Sequence, residues 1–162
     1  MYIESDKVDH IATVASSFDW TWTEADLPAM CQAQGWAVAV PAAHGTVVLR
    51  TDHMADRPEA YWNLWDKGGV ANLIMVVTDK VDVNDARATE QLLDEFEDLV
   101  ARFTVILGSH RVVERGVERS ARWDRPNLVV RLFIVNGYIN LYLVNPAYQE
   151  WVETPEELDV YE

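Results

Sequence analysis

The chain has one cysteine in 162 residues, Cys31, so it can close no disulfide within itself. It has no hydrophobic run of membrane-spanning length. The longest candidate, LVVRLFIV, is short and carries Arg131. Its first ten residues, MYIESDKVDH, lack the basic and then apolar stretches of a secretory signal, so a soluble cytoplasmic protein is expected. The familiar catalytic signatures are also missing: there is no GxSxG, P-loop, GxGxxG or HExxH, and the four histidines are scattered.

Positive charge is scarce as well. Lys and Arg number 13 against 27 Asp and Glu, a formal net charge of -14. Solubility in a small domain needs a magnitude of only about 2 to 8. A field this negative repels nucleic acid and anionic membranes, and it steers a basic protein into contact. Hydrophobic residues make up 49%, enough to bury a core. The length suits one domain over 1–162, with an acidic C-terminal tail at 153–162, either a short helix or a loose end. Cys31 lies beside Met30 in an apolar helical stripe with Leu27, and reads as a small buried hydrophobe rather than a nucleophile.

Periodicity predicts helices over 5–17, opened by Ser5, and over the segment that follows Thr23 or Asp26 and ends at Gly35. WAVAV and TVVLRT flank a loop, PAAHG. AYWNLW and VANLIMVVT flank a second, DKGG. Asn84 or Asp85 opens the longest helix, which Gly108 ends, with Leu92, Phe96, Leu99, Val100, Phe103 and Leu107 as its buried stripe. Residues 109–126 read as a loop and then a short strand through Trp123. In the last hairpin the Asn136-Gly137 turn sets the register. Val135 faces Tyr138, Ile134 faces Ile139, Leu132 faces Leu141, and Val130 faces Leu143. One face is then wholly aliphatic and belongs to the core, while Arg131, Phe133, Tyr138, Asn140 and Tyr142 lie on the other. The expected fold is α+β: a curved, largely antiparallel sheet of about 6–7 strands built from hairpins, flanked by N-terminal helices and one long helix.

Candidate chemistry is thin. Asp52, His53 and Asp56 match no established metal spacing and read as a polar loop. The six arginines from Arg111 to Arg131 are interleaved with acids, so internal ion pairs with the acidic helix are favoured over nucleic-acid binding. No cofactor and no metal are expected. Seven tryptophans are many for this length. Trp20, Trp36 and Trp123 are assigned to seams between helices and sheet. Trp62 and Trp65 are an odd number apart on one strand, so they fall on opposite faces and the core can claim one. The other, next to Asp66 and preceded by Asp52, Asp56 and Glu59, is a candidate partner-binding edge, since aromatics dominate interface hot spots. The competing surface is the flank of the long helix at Asp94, Glu95 and Asp98.

FDWTWTEADLPAMCQAQGW, through Phe18, Asp19, Trp20, Trp22, Asp26, Leu27, Pro28, Gly35 and Trp36, resembles a motif of small actinobacterial proteins. Those proteins are encoded among type VII secretion and polymorphic-toxin genes and are identified with immunity proteins. The hairpin ending in VVTD at 76–79 and the helix ending in Leu107-Gly108 are similar too. The element order also resembles the α+β fold of type III secretion chaperones. The resemblance carries no functional residue across. It implies a cytoplasmic, non-enzymatic binder, a monomer or weak dimer, that occludes the active site of a basic cognate toxin. The alternative is a secretion chaperone holding a substrate protein. A small enzyme is a third possibility, for which no pocket of converging polar groups is legible.

Overall fold

A computed structural model describes residues 3–54, 56–115 and 118–154. Among these residues the elements run α1 (Ser5–Ser17), α2 (Asp26–Gln34), β1 (Ala37–Ala43), β2 (Thr46–Arg50), β3 (Glu59–Leu64), β4 (Val70–Val76), α3 (Ala86–Leu107), β5 (Val112–Arg115), β6 (Arg119–Arg125), β7 (Leu128–Val135), β8 (Tyr138–Val144) and α4 (Pro146–Glu153). The fold is α+β. Its eight strands form one antiparallel sheet in the order β1-β2-β3-β4-β8-β7-β6-β5. Two four-stranded meanders therefore meet at their last strands, β4 and β8, and α3 carries the chain from the middle of the sheet to its far edge. No helix among the described residues is long and apolar enough to cross a membrane.

Eight strands exceed the expected 6–7 because β5 pairs with β6 where a loop and one strand were expected. Val112, Glu114 and Arg115 are all exposed, so β5 shows no alternation to read. Helix α4 was also unforeseen. It takes in Glu153, the first residue of the expected acidic tail; residues 155–162 of that tail lie outside the described residues.

The N-terminal caps differ from expectation. Glu4, not Ser5, precedes α1, and Ala25 precedes α2. The Asp26 carboxylate turns back on the preceding loop instead. It accepts from the Thr21 N–H at 3.0 Å, the Thr21 hydroxyl at 2.6 Å and the Trp22 N–H at 2.7 Å. In the first hairpin the loop shrinks from PAAHG to His44-Gly45, both at positive φ, and β1 extends to Ala43. The long helix is as expected: the Asp85 side chain accepts from the N–H groups of Arg87 and Ala88, and all six stripe residues are buried.

Helices α1, α2 and α3 cover one face of the sheet. The last hairpin has the expected register, and its aliphatic face lies beneath them. Phe103 of α3 meets Trp123 of β6, and Trp20 stacks between Trp22 and Trp62 with centroids 4.2 and 6.4 Å away. Trp20, Trp22, Trp36, Trp62 and Trp123 are all buried. One glycine here is fixed by a close approach. Gly69, at φ +80, leaves no room for a Cβ, which would come within 2.5 Å of the Trp22 carbonyl oxygen.

Candidate functional site

Among the described residues the second face of the sheet is covered only by α4. Strand alternation puts Asn63, Asn72, Arg131, Phe133, Asn140 and Tyr142 on this side. A polar ladder crosses three strands: the Thr46 hydroxyl donates to Asn63 at 2.9 Å, and the Asn63 amide donates to Asn72 at 2.8 Å. Asn145 pins the start of α4 above it. Its backbone N–H donates to the Ala71 carbonyl, its side-chain N–H donates to the Val70 carbonyl, and its side-chain oxygen caps Ala147. Pro146 follows at the first helical position, where a missing N–H costs nothing.

That anchorage sets α4 over the β3–β4 turn. Tyr148 and Trp151, three residues apart, share a helix face. The Trp65 ring lies edge-on to Tyr148 at 5.4 Å and tilted against Trp151 at 5.9 Å. The Trp65 indole N–H is enclosed and has no acceptor among the described residues. The three rings, with Asn63, Asp66, Asn72 and Ile74, line an open cleft of about 420 Å³. The Lys67 ammonium sits 4.9 Å from the Trp151 ring centroid, while Trp151 remains 46% exposed.

The odd-spacing argument thus holds for the tryptophans. Trp62 is fully buried beneath the helices, and Trp65 faces the other way. Trp65 is not a bare anchor, however, because α4 lies against it. Nor do the acids expected beside it gather there. Glu59 opens β3 and Asp66 follows its end, so a whole strand of roughly 17 Å separates them. Asp52 and Asp56 lie with Glu59 at the far end, in the β2–β3 connection. The Asp52 carbonyl accepts from the Lys7 ammonium at 2.8 Å. Nearness in sequence failed as a guide because β3 intervenes. The flank at Asp94, Glu95 and Asp98 belongs to α3, on the helix-covered face, so it cannot join the aromatic cleft in one flat interface. Asp98 is bridged to Arg102 at 3.1 Å. Burial, and then the Asp98 charge, push the Glu95 carboxyl up despite Arg102.

The arginine cluster is spent internally, in part on partners other than the acidic helix. Arg115 and Arg119 grip Glu97 of α3 at 2.9 and 2.7 Å. The Arg115 hydrogen bond foremost holds the Glu97 carboxyl below its usual range. Arg111 and Arg122 instead clasp Asp124, at 2.8 and 2.7 Å, and Arg122 also pairs with Glu153. Burial pushes the Asp124 carboxyl up, but these two guanidinium groups outweigh it and hold it low.

His53 is buried and both its ring nitrogens are engaged. The Val76 carbonyl can only accept, so Nε2 carries the proton and donates to it at 2.6 Å; Nδ1 is then left to accept from the Thr51 hydroxyl. A metal would have to displace one of these partners. No group of His, Cys, Asp and Glu among the described residues is arranged to hold an ion. Burial pulls the His53 imidazolium below its ordinary range, outweighing the Val76 hydrogen bond and Glu4. The unfolded chain therefore takes up a proton near pH 6.5 that the folded chain refuses. Stability should be full above that pH and fall as the pH drops below it, by at most about 1.4 kcal/mol per pH unit. Urea melts from pH 7.5 to 5.5 should show this slope, and His53→Gln should flatten it. An unchanged slope in the variant would exclude His53 as its source.

Residues 6–145 match the family of unknown function DUF6301, and the chain belongs to that family. No curated protein matches it. Among solved structures it is similar to a DUF4309 family protein, YjgB, from Bacillus subtilis, at 11% identity and a TM-score of 0.46, over 87% of this chain and 97% of that one. A likeness at that level transfers neither role nor residue.

Proposed function

We propose that this family member works by binding rather than by catalysis: a cytoplasmic immunity protein that captures a basic cognate toxin one-to-one and covers its substrate cleft. The aromatic cleft carries the reading. Trp65, Tyr148 and Trp151 gather beside Asp66 on the face that α1 to α3 leave open. Trp151, 46% exposed on the polar sheet face, is open to a partner and suits an interface anchor. The net charge of -14 supplies the long-range part. It steers a toxin whose cleft is positive, as clefts that handle nucleotides, NAD or nucleic acid are, and speeds capture.

Capture from extracts of the native host, with the protein immobilised, should yield a basic protein. Stopped-flow association with that protein should slow strongly between about 0.01 and 0.15 M salt, as the screening length shrinks from about 30 to 8 Å. A rate indifferent to salt would remove the steering argument. Trp65→Ala with Asp66→Ala should weaken the complex at least about tenfold, near 1.4 kcal/mol. Normal binding by that double variant, with binding lost on charge reversal of Asp94 and Glu95, would move the interface to α3.

One observation favours the chaperone reading. Edge strand β1 is exposed along its length, with Val38 at 47% and Val40 at 49%, beside a groove formed by Leu27, Val47, Trp62 and Leu64. An extended substrate could add to such an edge. Against this, Pro41 lacks an N–H and β1 pairs irregularly with β2, and both features blunt an edge. A chaperone would bind an unfolded segment of its substrate as well as the folded domain, and the immunity protein would not.

A further inference from the structure

We propose that the Trp151 face of the aromatic cleft is a seat for the guanidinium or ammonium group of a basic side chain on the partner protein, and that Lys67 occupies this seat in the free protein. The inference rests on the binding role above and adds the chemistry of the contact.

The Trp151 ring, which lines the cleft, already meets a cation. The Lys67 ammonium lies 4.9 Å from the Trp151 centroid, within the range at which the negative face of an indole attracts positive charge. Trp65 and Tyr148 brace the Trp151 ring from the sheet side, with centroids 5.9 and 5.8 Å away, so the platform is held in place. Asp66 lines the same cleft and supplies a counter-charge. The rings pack against one another and do not form a box. The platform is therefore open, suited to the end of a long side chain projecting from a protein surface and unsuited to enclosing a small quaternary ammonium ion. The negative field of the whole chain selects the same sign of ligand. An incoming arginine presents a planar cation that stacks on indole better than a lysine does. Lys67 is exposed on the β3–β4 turn, and its long side chain can swing away into water.

The test uses three probes: acetyl-Gly-Arg-Gly-amide, its citrulline counterpart and tetramethylammonium chloride. The readout is the indole N–H resonances of the 15N-labelled protein. The arginine peptide should shift the Trp151 resonance saturably, and the neutral citrulline peptide should bind about tenfold more weakly. Lys67→Ala removes the internal competitor and should tighten arginine binding several-fold. In Trp151→Ala the remaining Trp65 resonance should no longer respond, while the far-ultraviolet dichroism stays that of the folded chain. Equal binding of arginine and citrulline, or weaker arginine binding by Lys67→Ala, would overturn the proposal. Tetramethylammonium binding as well as the arginine peptide would overturn the assignment to a side chain in favour of a small cation. Should these resonances stay still while a salt-sensitive complex with a basic partner forms, the cation seat falls and the binding role stands. Should they move while no basic partner is captured, the binding role falls.

Discussion

Leu132→Ala is expected to lower the free energy of unfolding by about 2–5 kcal/mol. Leu132 is fully buried on β7, between Ala121 of β6 and Leu141 of β8, under the helices. Removing its isobutyl group opens a space that close-packed neighbours on both strands can only partly fill. One residue earlier, Arg131 faces the opposite side of the sheet. It lies over the Phe133 ring at 4.3 Å and makes one long hydrogen bond, 3.4 Å, to Gln149. Arg131→Ala should therefore cost about 1 kcal/mol or less. Urea melts of the two variants measure the difference directly. Equal losses would mean that the two faces of β7 are equally buried, contrary to the register.

Asp26→Ala should be nearly as damaging, at about 2–4 kcal/mol, though it removes no apolar contact. The carboxylate is 4% exposed and takes hydrogen bonds from two successive backbone N–H groups and the Thr21 hydroxyl. The first consequence of its loss is a buried Trp22 N–H without an acceptor. The second is release of Trp22 itself, which is held at φ 56, a conformation unfavourable for a residue with a large side chain. Trp22 links distant parts of the chain. Its carbonyl accepts from Val70 at 2.9 Å, and its indole N–H donates to the Asn127 carbonyl at 3.0 Å. Asp26→Asn keeps a single acceptor oxygen and should fall between the alanine variant and the natural protein. Thermal melts followed by tryptophan near-ultraviolet dichroism would show both effects. A near-normal melting point for Asp26→Ala would show that water replaces the carboxylate at no cost.

What could be read from the sequence was local. The last hairpin was legible because Asn136 and Gly137 both adopt positive φ, which a two-residue turn demands, and alternation on either side fixes the register. The stripe of α3 was legible because six large apolar residues repeat at helical spacing. The β5–β6 hairpin was not, since three of the four β5 residues are exposed and leave no alternation to read. Helix α4 does have a local signal: Asn145 followed by Pro146 is a capping residue followed by the proline suited to a first helical position. Half of the candidate site goes with it. Trp65 and Asp66 could be picked out by parity and neighbourhood. Tyr148 and Trp151 reach them only through the pairing of β4 with β8. No local pattern announces which strands from distant parts of a chain will become neighbours. Asp52, Asp56 and Glu59 were misplaced for a different reason: the length of β3 separates them from the turn they were grouped with.

The junction of the two meanders has a kinetic consequence. Every other strand pairing joins neighbours in sequence through a short connection, whereas Asn72 must find Val144 across the whole second half of the chain. Closing so long a loop adds only about 2–3 kcal/mol of entropy over a tight turn, but it has to be met before the long-range contacts repay it. Docking of β4 on β8 is therefore expected to be a slow step in folding. Because Asn145 bonds to Val70 and Ala71 across this junction, Tyr148 and Trp151 come to rest on Trp65 only once it has closed. A nascent or half-opened chain has no aromatic cleft to offer. Whatever binds there reads the completed fold, and by mass action it holds the junction shut.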